Sequence, residues 1–137
     1  MLHYDVARQI GAPPERVWAI LTDAPGLAAG FGIIRVEGTI AHGQRIKVIP
    51  QVNPDRAFPV RVAVFQPARR MVWQGGMPLG LFKGVRTFTL DPAPHGTSFR
   101  MREEFSGPLA GLIGRGIPDL TASFAVFADQ LKRKAEA

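Results

Sequence analysis

The sequence predicts an α+β fold: a curved antiparallel sheet of about six or seven strands wrapped on one long C-terminal helix, with two short helices after the first strand. Three observations carry this. From Ser106 to Lys134, the residues Leu109, Ile113, Ile117, Leu120, Phe124, Phe127 and Leu131 recur at steps of three or four, which puts them on one helical face. Arg115, Asp119, Ser123, Lys132 and Glu136 fall opposite, so this helix is amphipathic. Most of the preceding chain reads as short strands with an apolar face that needs a cover. The breaks between those strands are hairpin-like, and hairpins give antiparallel pairing. A sheet of that size twists and curls, and one helix can close its concave face.

Residues 2–10 alternate, with Leu2, Tyr4, Val6 and Ile10 set against His3, Asp5, Ala7 and Gln9. Arg8 is the one odd member of the apolar set. Gly11-Ala12-Pro13-Pro14 breaks this strand, and proline followed by Glu15 suits the first turn of a helix, Pro14 to Thr22. Leu27 to Gly32 reads as a second short helix or an irregular turn. Strands follow at Ile33–Ile40, Arg45–Val52, Pro59–Phe65, Met71–Gln74, Leu81–Leu90 and Thr97–Phe105. Gly75 to Gly80 is too rich in glycine for regular structure, and Asp91 to Gly96 reads as a long turn. Pro118 predicts a kink in the long helix, because it lacks a donor and clashes with the preceding turn. Gly111, Gly114 and Gly116 read either as small residues packed closely on the sheet or as a segment that yields to admit a ligand.

Composition removes several classes of function. A chain of 137 residues fits a single domain, residues 1–137. No apolar run is long enough to span a bilayer, so no membrane span is expected. The first residues show no basic segment leading an apolar one, and the cytoplasm is the default location. The absence of cysteine excludes disulfides, thiolate metal sites and cysteine nucleophiles. His3, His42 and His95 are far apart without acidic partners at ligand spacing, so no metal and no cofactor is expected. The net charge is +6, but the basic residues are scattered and nucleic acid is not an expected partner. The densest run, Lys132-Arg133-Lys134, suits the negative end of a helix. No nucleophile elbow or phosphate loop is present.

The segment Ile10-Gly-Ala-Pro-Pro-Glu-Arg-Val-Trp-Ala-Ile-Leu-Thr-Asp23 resembles the opening motif of the SRPBCC, or START-like, helix-grip superfamily. Val36-Glu-Gly38 with Gly43, Gln66-Pro67 through Trp73, and Glu104-Phe-Ser-Gly107 with the following helix resemble its later elements. The similarity covers nearly the whole chain. It implies a helix-grip fold with an apolar cavity between sheet and helix. It leaves function open among lipid carriers, hormone receptors, polyketide cyclases, chaperone activators and toxin-like members.

Two stretches bear on the site. Met77, Leu79, Leu81 and Phe82 sit on a glycine-rich segment, read either as a core cap or as an apolar lip at a cavity mouth. If the last hairpin sets Leu90 opposite Phe99, then Phe88 meets Met101 and Arg86 meets Glu103. Arg86 and Glu103 would then face inward, as a ligand-orienting pair or a structural one, unless a bulge turns them out.

The leading reading is a small-molecule binder for a hydrophobic, lipid- or polyketide-like ligand. Its lining candidates are Phe31, Trp73, Met77, Leu81, Phe82, Phe88, Met101, Phe105, Leu109, Ile113, Ile117, Leu120 and Phe124, with Arg86 and Glu103 as polar contacts. A cyclase- or dehydrase-like enzyme is the rival, with Arg86, Glu103 and Tyr4 as catalytic candidates. A surface-mediated interaction module is the third reading, supported only by Lys132-Arg133-Lys134. The sequence sets no oligomeric state. An entrance, if present, is expected between the Met77–Phe82 loop and the first half of the long helix.

Overall fold

Alternation of apolar and polar residues decides how this chain folds, because each strand has one face to bury. The computed structural model describes residues 2–137. Seven strands form one antiparallel sheet: β1 (Leu2–Ile10), β2 (Ile33–Glu37), β3 (Arg45–Pro50), β4 (Phe58–Gln66), β5 (Arg70–Gly76), β6 (Lys83–Ala93) and β7 (Gly96–Ser106). Their order across the sheet is β1-β7-β6-β5-β4-β3-β2. Helix α1 (Pro14–Leu21) and a 3-10 turn (Pro25–Ala28) follow β1, and the chain ends in α2 (Ala110–Gly114) and α3 (Thr121–Glu136). The result is the helix-grip architecture: a curled sheet closed by a C-terminal helix.

The core is continuous between the concave face and the helices. Phe99, Met101, Phe88, Leu90, Met71 and Trp73 come from the sheet, while Phe124, Phe127, Ala128 and Leu131 come from α3. Phe127 meets Phe31 edge-on at 5.1 Å and Phe88 at 6.0 Å. Such pairs supply directional contact beyond simple burial.

The odd residue of β1 has its explanation in α3. Arg8 points inward with the apolar set, and its Nε donates to Asp129 at 2.8 Å. Arg16 of α1 donates to the backbone oxygens of Ala135 at 2.6 Å and Lys134 at 3.2 Å, satisfying carbonyls that a helix end leaves free. The Lys132-Arg133-Lys134 run is used within the chain. Lys132 Nζ donates to Gln9 O and Glu136, Arg133 Nε donates to Gln130, and Lys134 lies over the Phe31 ring.

Several boundaries differ from expectation. The single helix from Ser106 to Lys134 is two helices: Ser106 ends β7, and residues 115–120 separate α2 from α3. Pro118 therefore lies in a break rather than at a kink. Two glycines and a proline between Gly114 and Pro118 remove the propensity and the donor that a continuous helix needs. Gly75 and Gly76 belong to β5, and the 3-10 turn Pro78–Gly80 follows. Gly76 has φ +141, and a Cβ there would lie 2.2 Å from the Phe82 carbonyl, so glycine closes this turn. Residues 91–96 make a tight hairpin instead of a long turn, since Ala93 pairs with Gly96. Pairing between β5 and β6 ends at Arg70–Thr89, so Pro92 lies where one edge of β6 is free and proline is tolerated.

Candidate functional site

The last hairpin takes the register that sets Leu90 opposite Phe99 and Arg86 opposite Glu103. Cross-strand partners share a face. Tyr4 pairs with Glu103, Glu103 with Arg86, and Arg86 with Trp73. One transverse row on the concave face therefore runs Tyr4, Glu103, Arg86, Trp73. The row beside it is Val6, Met101, Phe88 and Met71, which joins the core. No bulge turns Arg86 or Glu103 outward.

Within this row Arg86 Nη2 donates to Glu103 Oε2 at 3.2 Å, with the two side chains 19% and 16% exposed. The Arg86 guanidinium also lies 4.9 Å from the centre of the Phe124 ring of α3. The charge is thus held between a carboxylate and an aromatic face, two contacts that offset its loss of water. Trp73 Nε1 and Arg86 Nε are buried and have no hydrogen-bond partner among the described residues. An unpaired buried donor costs about 1–3 kcal/mol. Here two such donors are cross-strand neighbours. Tyr4 completes the row, its ring 5.9 Å from Phe124 and 6.5 Å from Phe105.

One step toward the sheet end, Leu2, Phe105, Gly84 and Gly75 form the next row. Gly84 lets the Phe105 ring lie across the strand, where a Cβ would meet it at 3.4 Å. Phe82 stacks on the other side of Phe105 at 5.7 Å.

Two clefts open here, along the segment 107–120. One, about 540 Å³, is lined by Leu2, Phe105, Gly107, Gly111, Gly114 and Arg115 among others. The other, about 420 Å³, is lined by His3, Tyr4, Asp5, Ile117, Asp119 and Thr121. The space beneath α3 is filled by Trp73, Phe88, Met101 and Phe127 side chains. Neither cleft is lined by Trp73, Arg86, Phe88 or Phe124; the first lies against α2 and the second between β1 and the start of α3.

The candidates from the sequence divide accordingly. Tyr4, Trp73, Arg86 and Glu103 come together in the row, with Phe124 above them. Phe31, Phe88 and Met101 are deep in the core. Phe82, Leu109, Ile113, Ile117 and Leu120 are half-buried near the clefts, while Met77 and Leu81 are exposed. The Met77–Phe82 loop does meet the start of the cover, since Leu109 N–H donates to Leu81 O at 2.9 Å. Leu2, Gly111, Gly114 and Arg115 were not among the expected lining residues. The glycines are not tightly packed: a Cβ on Gly111 would touch nothing within 4 Å, and one on Gly114 would reach Leu2 only at 3.6 Å. The glycine spacing was the signal, and it marks a thin wall rather than a close contact.

The charged groups around the second cleft are fixed from outside. Asp5 is held below the usual carboxylate range, first by its hydrogen bond from Arg100, with burial opposing and Arg102 adding to it. Asp119 is held low by the Thr121 N–H, which donates to it at 2.9 Å. Among the described residues no group of three or more histidines and carboxylates could hold a metal ion. No helix among them is long and apolar enough to cross a membrane.

The family model described as polyketide cyclase / dehydrase and lipid transport matches residues 1–136. No curated protein matches the chain. A solved protein from Mesorhizobium loti is similar, at 24% identity and TM-score 0.72, over 96% of this chain and 95% of that one. The Aha1 dimer from Colwellia psychrerythraea has TM-score 0.75 at 21% identity, over 99% of this chain and 97% of that one. DynU16, from the dynemicin biosynthetic locus, has TM-score 0.70 at 20% identity, over 98% of this chain and 47% of that one. At these identities the structures share the fold.

Proposed function

The chain belongs to the polyketide cyclase / dehydrase and lipid transport family, and from that membership we propose that it binds a small apolar or aromatic molecule between its sheet and its C-terminal cover. One observation carries the reading: the buried N–H groups of Trp73 and Arg86, adjacent on one row and without partners. A carbonyl or carboxylate oxygen of a ligand would accept from both. The apolar body would lie toward Phe105 and the cleft beneath α2, with Phe124 as a roof. The cover 109–120 holds no fully buried residue, so its displacement costs little.

Thermal shift with paired aromatic probes tests this. A naphthoic acid or naphthyl ketone should raise the melting temperature more than naphthalene does. At a hundredfold excess over Kd the stabilisation is about 2.7 kcal/mol. Trp73→Phe keeps an aromatic ring and removes the donor; together with Arg86→Met it should weaken the acid about tenfold or more. Equal response of all probes, or equal binding by both variants, would remove the assignment.

Cyclase- or dehydrase-like catalysis is the second reading. It rests on Tyr4 and Glu103 being cross-strand neighbours, which sets a phenol and a carboxylate on one face. Glu103→Gln should then abolish turnover of a poly-β-ketone mimic while binding of that mimic persists. Turnover unaffected by this change would exclude Glu103 as the base.

A further inference from the structure

We propose that the tip formed by the β5–β6 turn and α2 docks on an anionic lipid bilayer. Leu79 is the centre of this tip. It is 96% exposed, and its backbone is left-handed at φ 61 and ψ 20. Each feature is unfavourable for a leucine in water. The left-handed region is strained for a bulky L-residue, and asparagine or glycine would suit it better. The exposed side chain gains nothing from the folded monomer. Both features make sense for a side chain that is buried in a second phase.

Leu79 is not isolated. Met77 and Leu81 beside it are exposed, as is Leu112 on α2, at 67%. The two segments are joined. Leu109 N–H donates to Leu81 O, and Gly107, at φ +102, lies so close to the carbonyls of Gly80 and Leu81 that a Cβ would come within 2.6 Å. Four large apolar side chains thus project from two tied segments.

The two tied segments themselves carry charge of one sign. Residues 77–84 and 107–118 contain no aspartate or glutamate, and they carry Lys83 and Arg115, both exposed. The outer face of the sheet adds Arg45 and Arg61, exposed and without ion pairs among the described residues, while Lys47 stands opposite Glu37. Arg45 stands directly opposite Arg61, an arrangement that repels unless an anion is near. An apolar turn flanked by uncompensated basic residues matches anionic headgroups over a hydrocarbon interior. A turn that projects fully into solvent fits a fluid layer better than a shaped protein groove. Docking here would be peripheral and would bring the bilayer against the cleft beneath α2.

Co-flotation of the full chain with vesicles tests this, using phosphatidylcholine alone or with added phosphatidylserine. Binding is expected only with phosphatidylserine, and it should fall as salt rises. Leu79→Asn should reduce it about tenfold or more, with an unchanged or higher melting temperature, because asparagine accepts the left-handed backbone. Lys83→Ala should reduce it about fivefold. Arg86→Met should leave it unchanged, which separates this proposal from any ligand on the Arg86 row. Absence of binding to anionic vesicles, or full binding by Leu79→Asn, would overturn it. Concentration-dependent self-association lost in Leu79→Asn would assign the tip to a second copy of the chain instead.

Discussion

The two halves of the C-terminal cover are built differently. Helix α3 buries Phe124, Phe127, Ala128, Leu131 and Ala135, and polar contacts fasten it along its length. Asp129 holds Arg8, Lys132 reaches Gln9 O, Glu136 accepts from Gly11 N–H at 2.8 Å, and Arg16 closes the end. The segment 107–120 buries no residue fully, and its five-residue helix α2 carries two glycines. Among the described residues its one backbone hydrogen bond to the sheet end runs from Leu109 N–H to Leu81 O. The clefts lie along this second half. One half therefore fixes the fold and the other leaves an opening beside the polar row.

The sharpest way to break this contrast is to truncate a leucine in each half. Leu131→Ala removes a fully buried side chain and should cost about 3 kcal/mol, read as a lower urea midpoint. Leu112→Ala should change stability by less than about 0.5 kcal/mol. Similar costs would mean that both halves are clamped. Next in size is Gly111→Ala, whose new methyl group meets open space. It should favour α2 by up to about 1 kcal/mol and slow hydrogen exchange of amides 112–114. Unchanged exchange there would show a cover that is already rigid.

The smallest effect is on pH. Asp129 is held low chiefly by its hydrogen bond from Arg8, and Glu136 by hydrogen bonds from Lys132 and then Gly11 N–H. Lowered carboxylates stabilise the fold above their ordinary value near 4 and lose that contribution as pH falls through the lowered native value. Acid should therefore loosen α3, and Asp129→Asn should reduce this acid dependence. An acid response confined to residues 107–120 would contradict the contrast.

Much of the site was legible because period-two alternation transmits across a sheet. Once Leu90 faces Phe99, Arg86 must face Glu103, and both must share a side with Phe88 and Met101. The alternation of β1 likewise put Tyr4 inward. What could not be read was the join. The run from Leu109 to Leu131 keeps a helical period through Gly114–Pro118, so pattern alone drew one helix where backbone propensity makes two. The basic residues looked scattered for a similar reason, since Arg45 and Arg61 are sixteen positions apart and meet only through strand pairing.

By itself the sequence determined a curved sheet under a C-terminal cover and the inward face of each strand, because these follow from local periodicity and turn chemistry, and it left the Arg86–Glu103 pairing conditional on the register of the last hairpin. Only the tertiary structure decided that Phe88, Phe127 and their neighbours fill the space beneath α3, and that the clefts lie along the segment before it. It alone left the Trp73 and Arg86 donors unpaired and set Leu79 out in solvent with its apolar neighbours. Volume, pairing and exposure are properties of what arrives opposite a residue, and that is fixed by packing between segments distant in the chain.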